Sequence, residues 1–183
     1  VCTLLSLGSV AFAAPAKEGN RNYDARIEFN AKLRRSPAAT QLQAIESLRS
    51  EVPELAASFD EATGATRTVF NRVGYLTATG SPTADAKQVG LDFVTHHLSL
   101  FGLTAEDLAE YEVTDSVYTK ATGTTSVYLR QMLKGLPLYN GQLHYNVNRE
   151  GRVLSVNNLF LPGLAGAVNT TTPALSAADA VVS

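Results

Sequence analysis

Hydrophobic positions recur with two different periods along this chain, and the period changes near residue 111. Before that point, apolar residues spaced three and four apart predict two helices. The first follows Ser36 and Pro37, a pair suited to a helix start, and ends before Pro53. The second is predicted from Pro82 to Phe101. Both are expected to bury one apolar face.

The second helix has the clearer face. Gly102, directly after it, is typical of the residue that ends a helix. A short helical turn is predicted after it, because Thr104 and Asp107 have the spacing of a capping box. The residues expected on the buried face are Ala86, Val89, Phe93, Val94, His97, Leu98 and Phe101.

From residue 111 the alternation has a period of two, which is typical of strands with one buried face. It predicts a four-stranded antiparallel meander that ends near Pro162. An earlier pair of alternating runs, 55–73, surrounds the turn signal DEATG and predicts a β-hairpin. Weak alternation over 23–33 is compatible with one more strand. The expected fold class is α+β, with a helix packed on the four-stranded sheet and a smaller N-terminal unit of helix plus hairpin.

These elements divide the chain into four predicted parts. Residues 1–13 form a truncated signal peptide, 14–78 an N-terminal helix and hairpin part, and 79–163 the helix and meander. Residues 164–183 are expected to be a linker followed by the beginning of a helix capped near Ser176. Because the chain starts without Met and stops soon after a helix start, we expect the sequence to be truncated at both ends.

The leader prediction rests on the apolar run CTLLSLGSVAFA at 2–13. The run is too short to span a bilayer, and Ala11 and Ala13 have the small-residue pattern that signal peptidase recognises. The alternative is a buried N-terminal helix, which Gly8 and Ser9 disfavour. A signal peptide implies secretion, with no membrane association after its cleavage.

Composition narrows the possible chemistry. The formal net charge is -2 over 183 residues, which gives no electrostatic basis for nucleic acid binding. A single Cys excludes an internal disulfide. H-E-x-x-H, G-x-S-x-G, C-x-x-C and phosphate-binding glycine loops are all missing from the sequence. We therefore expect no catalytic residues, no metal site and no cofactor in this chain.

The remaining polar and aromatic residues have structural interpretations. His97 is expected to pack and His96 to face water, while His144 is expected to be exposed. An acidic cluster is expected to be solvated, and three tyrosines either line a surface or pack against the helix. The acidic cluster is Asp107, Glu110, Glu112 and Asp115, and the tyrosines are Tyr118, Tyr128 and Tyr145.

One segment has a more specific pattern. In VYLRQMLKGLPLYNGQLHYNVNREGRVLSVNN (127–158), a strand ends in Gln, then come Gly, an apolar-Pro-apolar triplet, a strand, a Gly hairpin and a closing strand. This closely resembles the fungalysin/thermolysin propeptide motif, and the preceding residues 113–131 look like the prosegment of fungalysin-type zinc metallopeptidases. The motif residues here are Gln131, Gly135, Pro137, Gly141 and Gly151. Gln131 shares a face with apolar residues, so we expect it to be buried and bonded to the backbone.

The resemblance covers 80–165 well and extends more weakly to 59–71, and 176–182 is similar to the start of a PepSY-like helix. It implies the prosegment of a secreted precursor, acting as folding aid and cis inhibitor of a downstream peptidase domain that binds the zinc. The prosegment itself is expected to be monomeric. Segments 75–81 and 163–174, rich in Thr, Gly and Ala, are expected cleavage sites. The alternative is a stand-alone secreted binding or inhibitory module.

Overall fold

The computed structural model describes residues 34–182, and over that range the strands form one six-stranded antiparallel sheet. The order across the sheet is β1-β2-β6-β5-β4-β3. The strands are β1 (Leu55–Phe59), β2 (Thr66–Asn71), β3 (Tyr111–Thr119), β4 (Thr124–Leu133), β5 (Leu136–Asn148) and β6 (Val153–Asn158). The α+β class is confirmed, and the prediction of a four-stranded sheet is wrong.

The extra two strands come from the predicted hairpin. β1 and β2 do form a hairpin around the DEATG turn, but β2 also pairs with β6, where Thr68 lies opposite Asn157 and Val69 opposite Val156. The hairpin therefore extends the meander and is not a separate small unit. The sequence pattern that predicted the hairpin carries no information about the strand next to β2.

The helices are α1 (Ala39–Glu51), α2 (Ala86–His96), α3 (Leu98–Phe101), α4 (Leu164–Ala167) and α5 (Ala177–Val182). The first three cover one face of the sheet. α2 lies across β4, β5 and β6, while α1 packs against α3 and contacts β1. Their buried residues join those of the sheet in one hydrophobic core, in which Val69, Val94 and Phe101 have no exposed surface. Among residues 34–182, no helix is both long and apolar enough to cross a bilayer.

Both long helices start later than predicted. α1 begins at Ala39, and its cap residue Ala38 makes no side-chain hydrogen bond, so Ser36 is not the cap. α2 begins after Asp85, whose carboxylate accepts a hydrogen bond from the Lys87 N–H at 3.1 Å.

The helix predicted from Pro82 to Phe101 is interrupted at His97, which has φ -116°. α3 then continues to Gly102, which ends it in the left-handed conformation as expected. The predicted buried face is confirmed at Phe93, Val94 and Phe101.

The connector at 75–81 is held in place, contrary to the expectation of a loose segment. Leu76 is buried, and its N–H donates to the Val153 carbonyl at 2.7 Å. The Val153 N–H in turn donates to the Thr77 hydroxyl at 3.1 Å. A side chain at Gly80 would place Cβ 2.3 Å from the Glu150 carbonyl oxygen. The connector therefore packs tightly on the β5–β6 hairpin.

The tail after β6 is held at its start and exposed later. Leu164 is buried, whereas residues 172–176 are exposed. Ser176 caps α5 as predicted, since the Asp179 N–H donates to its hydroxyl at 3.2 Å. The predicted leader at 1–13 and the predicted strand at 23–33 lie outside the described residues.

Candidate functional site

The region from the end of β4 to the start of β5, which contains the motif residues Gln131, Gly135 and Pro137, has an unusual geometry. The two strands are joined by the two-residue turn Lys134-Gly135, in which both residues have positive φ, 50° and 76°. Such a turn matches the twist of a hairpin and favours glycine. The Gly135 N–H donates to the Glu110 carboxylate at 2.6 Å, so the turn is tied to the start of β3.

Beyond this turn the register of the two strands breaks. Met132 lies opposite Pro137 and Arg130 opposite Gln142, so four residues of β5, 138–141, face the single residue Gln131. Asn140 takes a positive φ of 59° within this bulge. A Cβ on Gly141 would lie 2.6 Å from Leu138 Cδ2, so the bulge closes onto the glycine. The bulge leaves the Tyr139 side chain 90% exposed.

Gln131 is buried under this bulge, as expected from its strand face. Its exposed fraction is 1%. Its Oε1 accepts from the Leu161 N–H at 2.8 Å, and its Nε2 donates to the Leu161 carbonyl at 3.0 Å and to the Asp107 carbonyl at 3.3 Å. One side chain thus makes a strand-like pair of bonds with the segment that leaves β6.

Asp107 holds the same segment from the other side. Its Oδ1 accepts from the Gly163 N–H at 2.7 Å, and its Oδ2 accepts from the N–H and the hydroxyl of Thr104, both at 2.9 Å. Only 6% of Asp107 is exposed, so the expectation that it belongs to a solvated acidic cluster is wrong. The Thr-x-x-Asp spacing signalled the bonds to Thr104. The bond to Gly163 crosses 56 positions and had no local signal.

We call Thr104, Asp107, Gln131, Leu161 and Gly163 the exit clamp, because they fix the chain where it leaves the sheet. All the buried side-chain polar atoms in the described range have hydrogen-bond partners. A buried polar network of this kind stabilises one arrangement when every member is satisfied. The Thr104 hydroxyl and both oxygens of the Asp107 carboxylate are hydrogen-bonded within the clamp, which holds one conformation of the chain.

Gly151 has a separate role at the opposite end of β5. It has φ 71°, and a Cβ there would lie 2.2 Å from the Ser81 carbonyl oxygen. Glycine is therefore required by the turn and by the connector that packs on it. Next to it, the Arg152 guanidinium stacks over the Tyr75 ring at 3.6 Å and pairs with Glu150, which lowers the pKa of that carboxyl.

The histidines do not form a site together. His96 faces water, whereas His97 is half-buried against the Phe93 ring, with ring centroids 4.5 Å apart. Burial and the neighbouring His96 lower the pKa of His97, and Glu51 opposes this effect. Among the described residues, no group of three or more His, Cys, Asp or Glu side chains is placed to hold a metal.

His144 is half-buried, not exposed as expected. Its ring stacks on Tyr128 with centroids 5.2 Å apart, and its Nε2 lies 3.1 Å from the Asn157 amide nitrogen. Burial lowers its pKa. The Asn157 Oδ1 accepts from the Thr68 hydroxyl at 3.0 Å, so polar side chains bridge three neighbouring strands on the face away from the helices.

The tyrosines separate into two environments. Tyr145 is buried in the core and donates its hydroxyl proton to the Lys87 carbonyl at 2.7 Å, and burial raises its pKa strongly. Tyr128 is half-buried on the opposite face, and Tyr118 is 55% exposed at the edge of the sheet. They do not form one aromatic surface.

Comparison with known proteins identifies the segment that contains this geometry. Residues 109–160 match the Fungalysin/Thermolysin Propeptide Motif. The chain is 33% identical over 63 residues to Extracellular metalloproteinase 10 of Coccidioides posadasii (strain C735), covering 34% of this chain and 10% of that protein.

The chain is also 38% identical over 55 residues to Extracellular metalloproteinase 10 of Uncinocarpus reesii (strain UAMH 1704), and this alignment covers 30% of this chain and 9% of that protein. The aligned part thus spans about a tenth of the curated relatives that it matches. All five residues singled out from the sequence, Gln131, Gly135, Pro137, Gly141 and Gly151, lie inside the matched segment. Residues 109–160, which include strands β3 to β6, carry the fungalysin/thermolysin propeptide motif.

Proposed function

We propose that this chain is the prosegment of a secreted zinc metalloendopeptidase precursor, and that it assists folding of the peptidase domain and inhibits it until it is removed. The observation that carries the proposal is the propeptide motif over 109–160. The names of the two relatives support the extracellular location and the class of peptidase. The partner is the cognate peptidase domain in cis, and the prosegment is a monomer with no nucleic acid partner.

The proposed inhibition depends on the covalent tether. Two linked domains meet at an effective concentration of about 1 mM, so a modest intrinsic affinity keeps the peptidase occupied. Cleavage of the connection removes that advantage, and the prosegment then dissociates. As a folding aid, the prosegment lowers the kinetic barrier to folding of the peptidase domain, which stays trapped in a non-native state when the prosegment is absent.

The exit clamp supports this proposal. Asp107 and Gln131 hold Leu161 and Gly163, so the chain leaves the sheet at a fixed place and in a fixed direction. An inhibitor must present its surface in one orientation, and a rigid exit limits the volume that a tethered partner samples. We propose cleavage in the exposed residues 172–176, beyond the clamp.

In this proposal the zinc is bound by the peptidase domain. The described residues offer no group of three or more His, Cys, Asp or Glu side chains placed as ligands, and a catalytic zinc needs three protein ligands. His96 and His97 are adjacent on the chain, and α2 ends between them, so only one faces the core. This chain contributes binding and orientation.

The test is recovery of active enzyme. The peptidase domain of the same precursor is expressed with this chain in cis, with it in trans, and without it, and zinc-dependent peptidase activity is measured per mole of soluble protein. We expect activity with the chain in cis, less in trans and little without it. Equal activity in all three preparations would contradict the folding role.

A further inference from the structure

β3 lies at one edge of the sheet, and this edge has the properties of an unfinished strand pair. Within residues 34–182, β3 pairs only with β4, and its nine residues leave the other side of the strand open. An open edge presents unpaired backbone N–H and C=O groups, which another strand can bind. The other edge strand, β1, has only five residues.

β3 carries two devices that oppose edge pairing, the charged side chains of Glu112 and Asp115 and one bulge, but it lacks others. Residues 111–119 contain no Lys and no Pro, and the register shifts once, between Val113 and Asp115. From Asp115 to Thr119 the pairing with β4 is continuous, which leaves an edge of five residues, in which the Ser116 N–H donates to the Asp115 carboxylate at 2.8 Å. Eight of the nine residues are exposed.

The two faces of this edge differ in chemistry. Glu112 lies opposite Arg130 and Asp115 opposite Tyr128, on the face away from the helices. Val113, opposite Leu129, and Tyr118, opposite Thr125, lie on the helix side and are 45% and 55% exposed. Glu112 has one weak ion pair, with Arg130 at 3.8 Å. The edge therefore offers two carboxylates together with Val117, 44% exposed, on one face, and Val113 and Tyr118 on the other.

This pattern discriminates between partners. An antiparallel pair of two β3 strands centred on the middle of the strand would place Asp115 opposite the Asp115 of a second copy, and like charges directly opposite each other destabilise a pair. A strand that alternates Lys or Arg with apolar residues would complement both faces. Strand addition of this kind gains affinity from the backbone and specificity from alternate side chains.

We infer that β3 is a docking edge for an extended basic segment of the peptidase domain, which adds to the sheet as a seventh strand beside Glu112 and Asp115. The inference rests on the proposed function and names the part of the prosegment that binds. Attraction between the carboxylates and basic side chains sets the register. The exit clamp lies next to the start of β3, because its residue Gln131 pairs with Tyr111.

The test titrates active peptidase with four versions of the purified chain. These are the unchanged chain, Glu112→Gln/Asp115→Asn, Glu112→Lys/Asp115→Lys, and the control Glu51→Lys/Glu54→Lys. Glu51 and Glu54 are exposed residues beside β1, at the other edge of the sheet, so the control has the same net charge as the reversed variant. Urea unfolding of each version shows whether the substitutions leave the fold intact.

We expect the control to inhibit like the unchanged chain, the neutral variant to inhibit several-fold less and the reversed variant about tenfold less. Backbone hydrogen exchange over 111–119 should slow when peptidase binds, while exchange over 55–59 should not. Equal inhibition by all four versions, or no slowing over 111–119 in the complex, would overturn the docking edge and leave the proposed function standing.

Two further results would also overturn it. Slow exchange over 111–119 in the free chain at every concentration would mean that another part of this chain covers β3. Slowing that depends on the concentration of the free chain would mean that a second copy does. If none of the four versions inhibits, the proposed function itself fails, and the docking edge fails with it.

Discussion

Replacing Gln131 with Leu removes the centre of the exit clamp while keeping a side chain of similar size. Three hydrogen bonds are lost, two to the Leu161 peptide groups and one to the Asp107 carbonyl. A buried polar group left without its partner costs about 1–3 kcal/mol. The Leu161 side chain is 38% exposed, so water can reach part of this segment and the three costs do not add in full. We expect a loss of about 2–4 kcal/mol in the free energy of unfolding.

Urea unfolding measures this loss directly. With a slope of about 2 kcal/mol per molar urea, the midpoint should fall by about 1–2 M. Gln142→Leu is the matched control, because Gln142 is exposed on the neighbouring strand and should change stability by less than about 0.5 kcal/mol. Proteolysis should also become faster near 161–163 in Gln131→Leu. Equal midpoints for the two variants would refute the argument that Gln131 holds the exit segment.

Four further predictions follow from the core, from the histidines and from the expectation that this chain binds no metal. Phe93→Ala should lower the free energy of unfolding by about 3–5 kcal/mol, because Phe93 is 6% exposed between α2 and the sheet, and an unchanged urea midpoint would contradict this packing. Gly90→Ala should lower the free energy of unfolding by about 1–3 kcal/mol in the same assay, although Ala has the better helix propensity. The reason is that the new alanine Cβ would lie 2.0 Å from the Tyr145 ring. A gain in stability would disprove this close approach. Burial lowers the pKa of His97 and His144 below the unfolded value of 6.5, so the unfolded chain binds protons before the folded chain does as the pH falls. The free energy of unfolding should therefore drop as the pH goes from 7.5 through 6.5 toward the folded pKa values. His144→Gln should make this drop smaller. The purified chain should show no peptidase activity and keep no zinc after dialysis, which metal analysis and a casein assay with chelator check.

Alternation along β4 and β5 predicted the buried faces of these two strands. In β4 it placed Val127, Leu129 and Gln131 on one face, and all three are at most 1% exposed. In β5 it placed Leu143 and Tyr145 on the same side, and both are buried. A strand's period of two specifies its faces directly, so these positions required no knowledge of the partners.

The contacts that join distant segments had no such local signal. Thr68 and Asn157 are 89 positions apart, and nothing in either sequence indicates that β2 and β6 are neighbours. Asp107 had the spacing of a capping residue, and its second bond, to Gly163, depends on where the end of β6 lies. The connector at 75–81 has the composition of a loop, but it packs tightly. Its glycine at position 80 is needed for a close approach to the neighbouring hairpin, whereas glycine elsewhere often serves a turn. Composition alone does not distinguish the two uses.

Inhibition of the cognate peptidase by this chain in trans tests the proposed function most directly. Active peptidase is titrated with the purified chain, and an unrelated zinc metallopeptidase serves as the control. We predict saturable inhibition that is specific for the cognate enzyme and weaker than in the uncleaved precursor, because the effective concentration of about 1 mM is lost with the tether. No inhibition at tens of micromolar, together with normal folding of the peptidase domain expressed without this chain, would contradict the prosegment function.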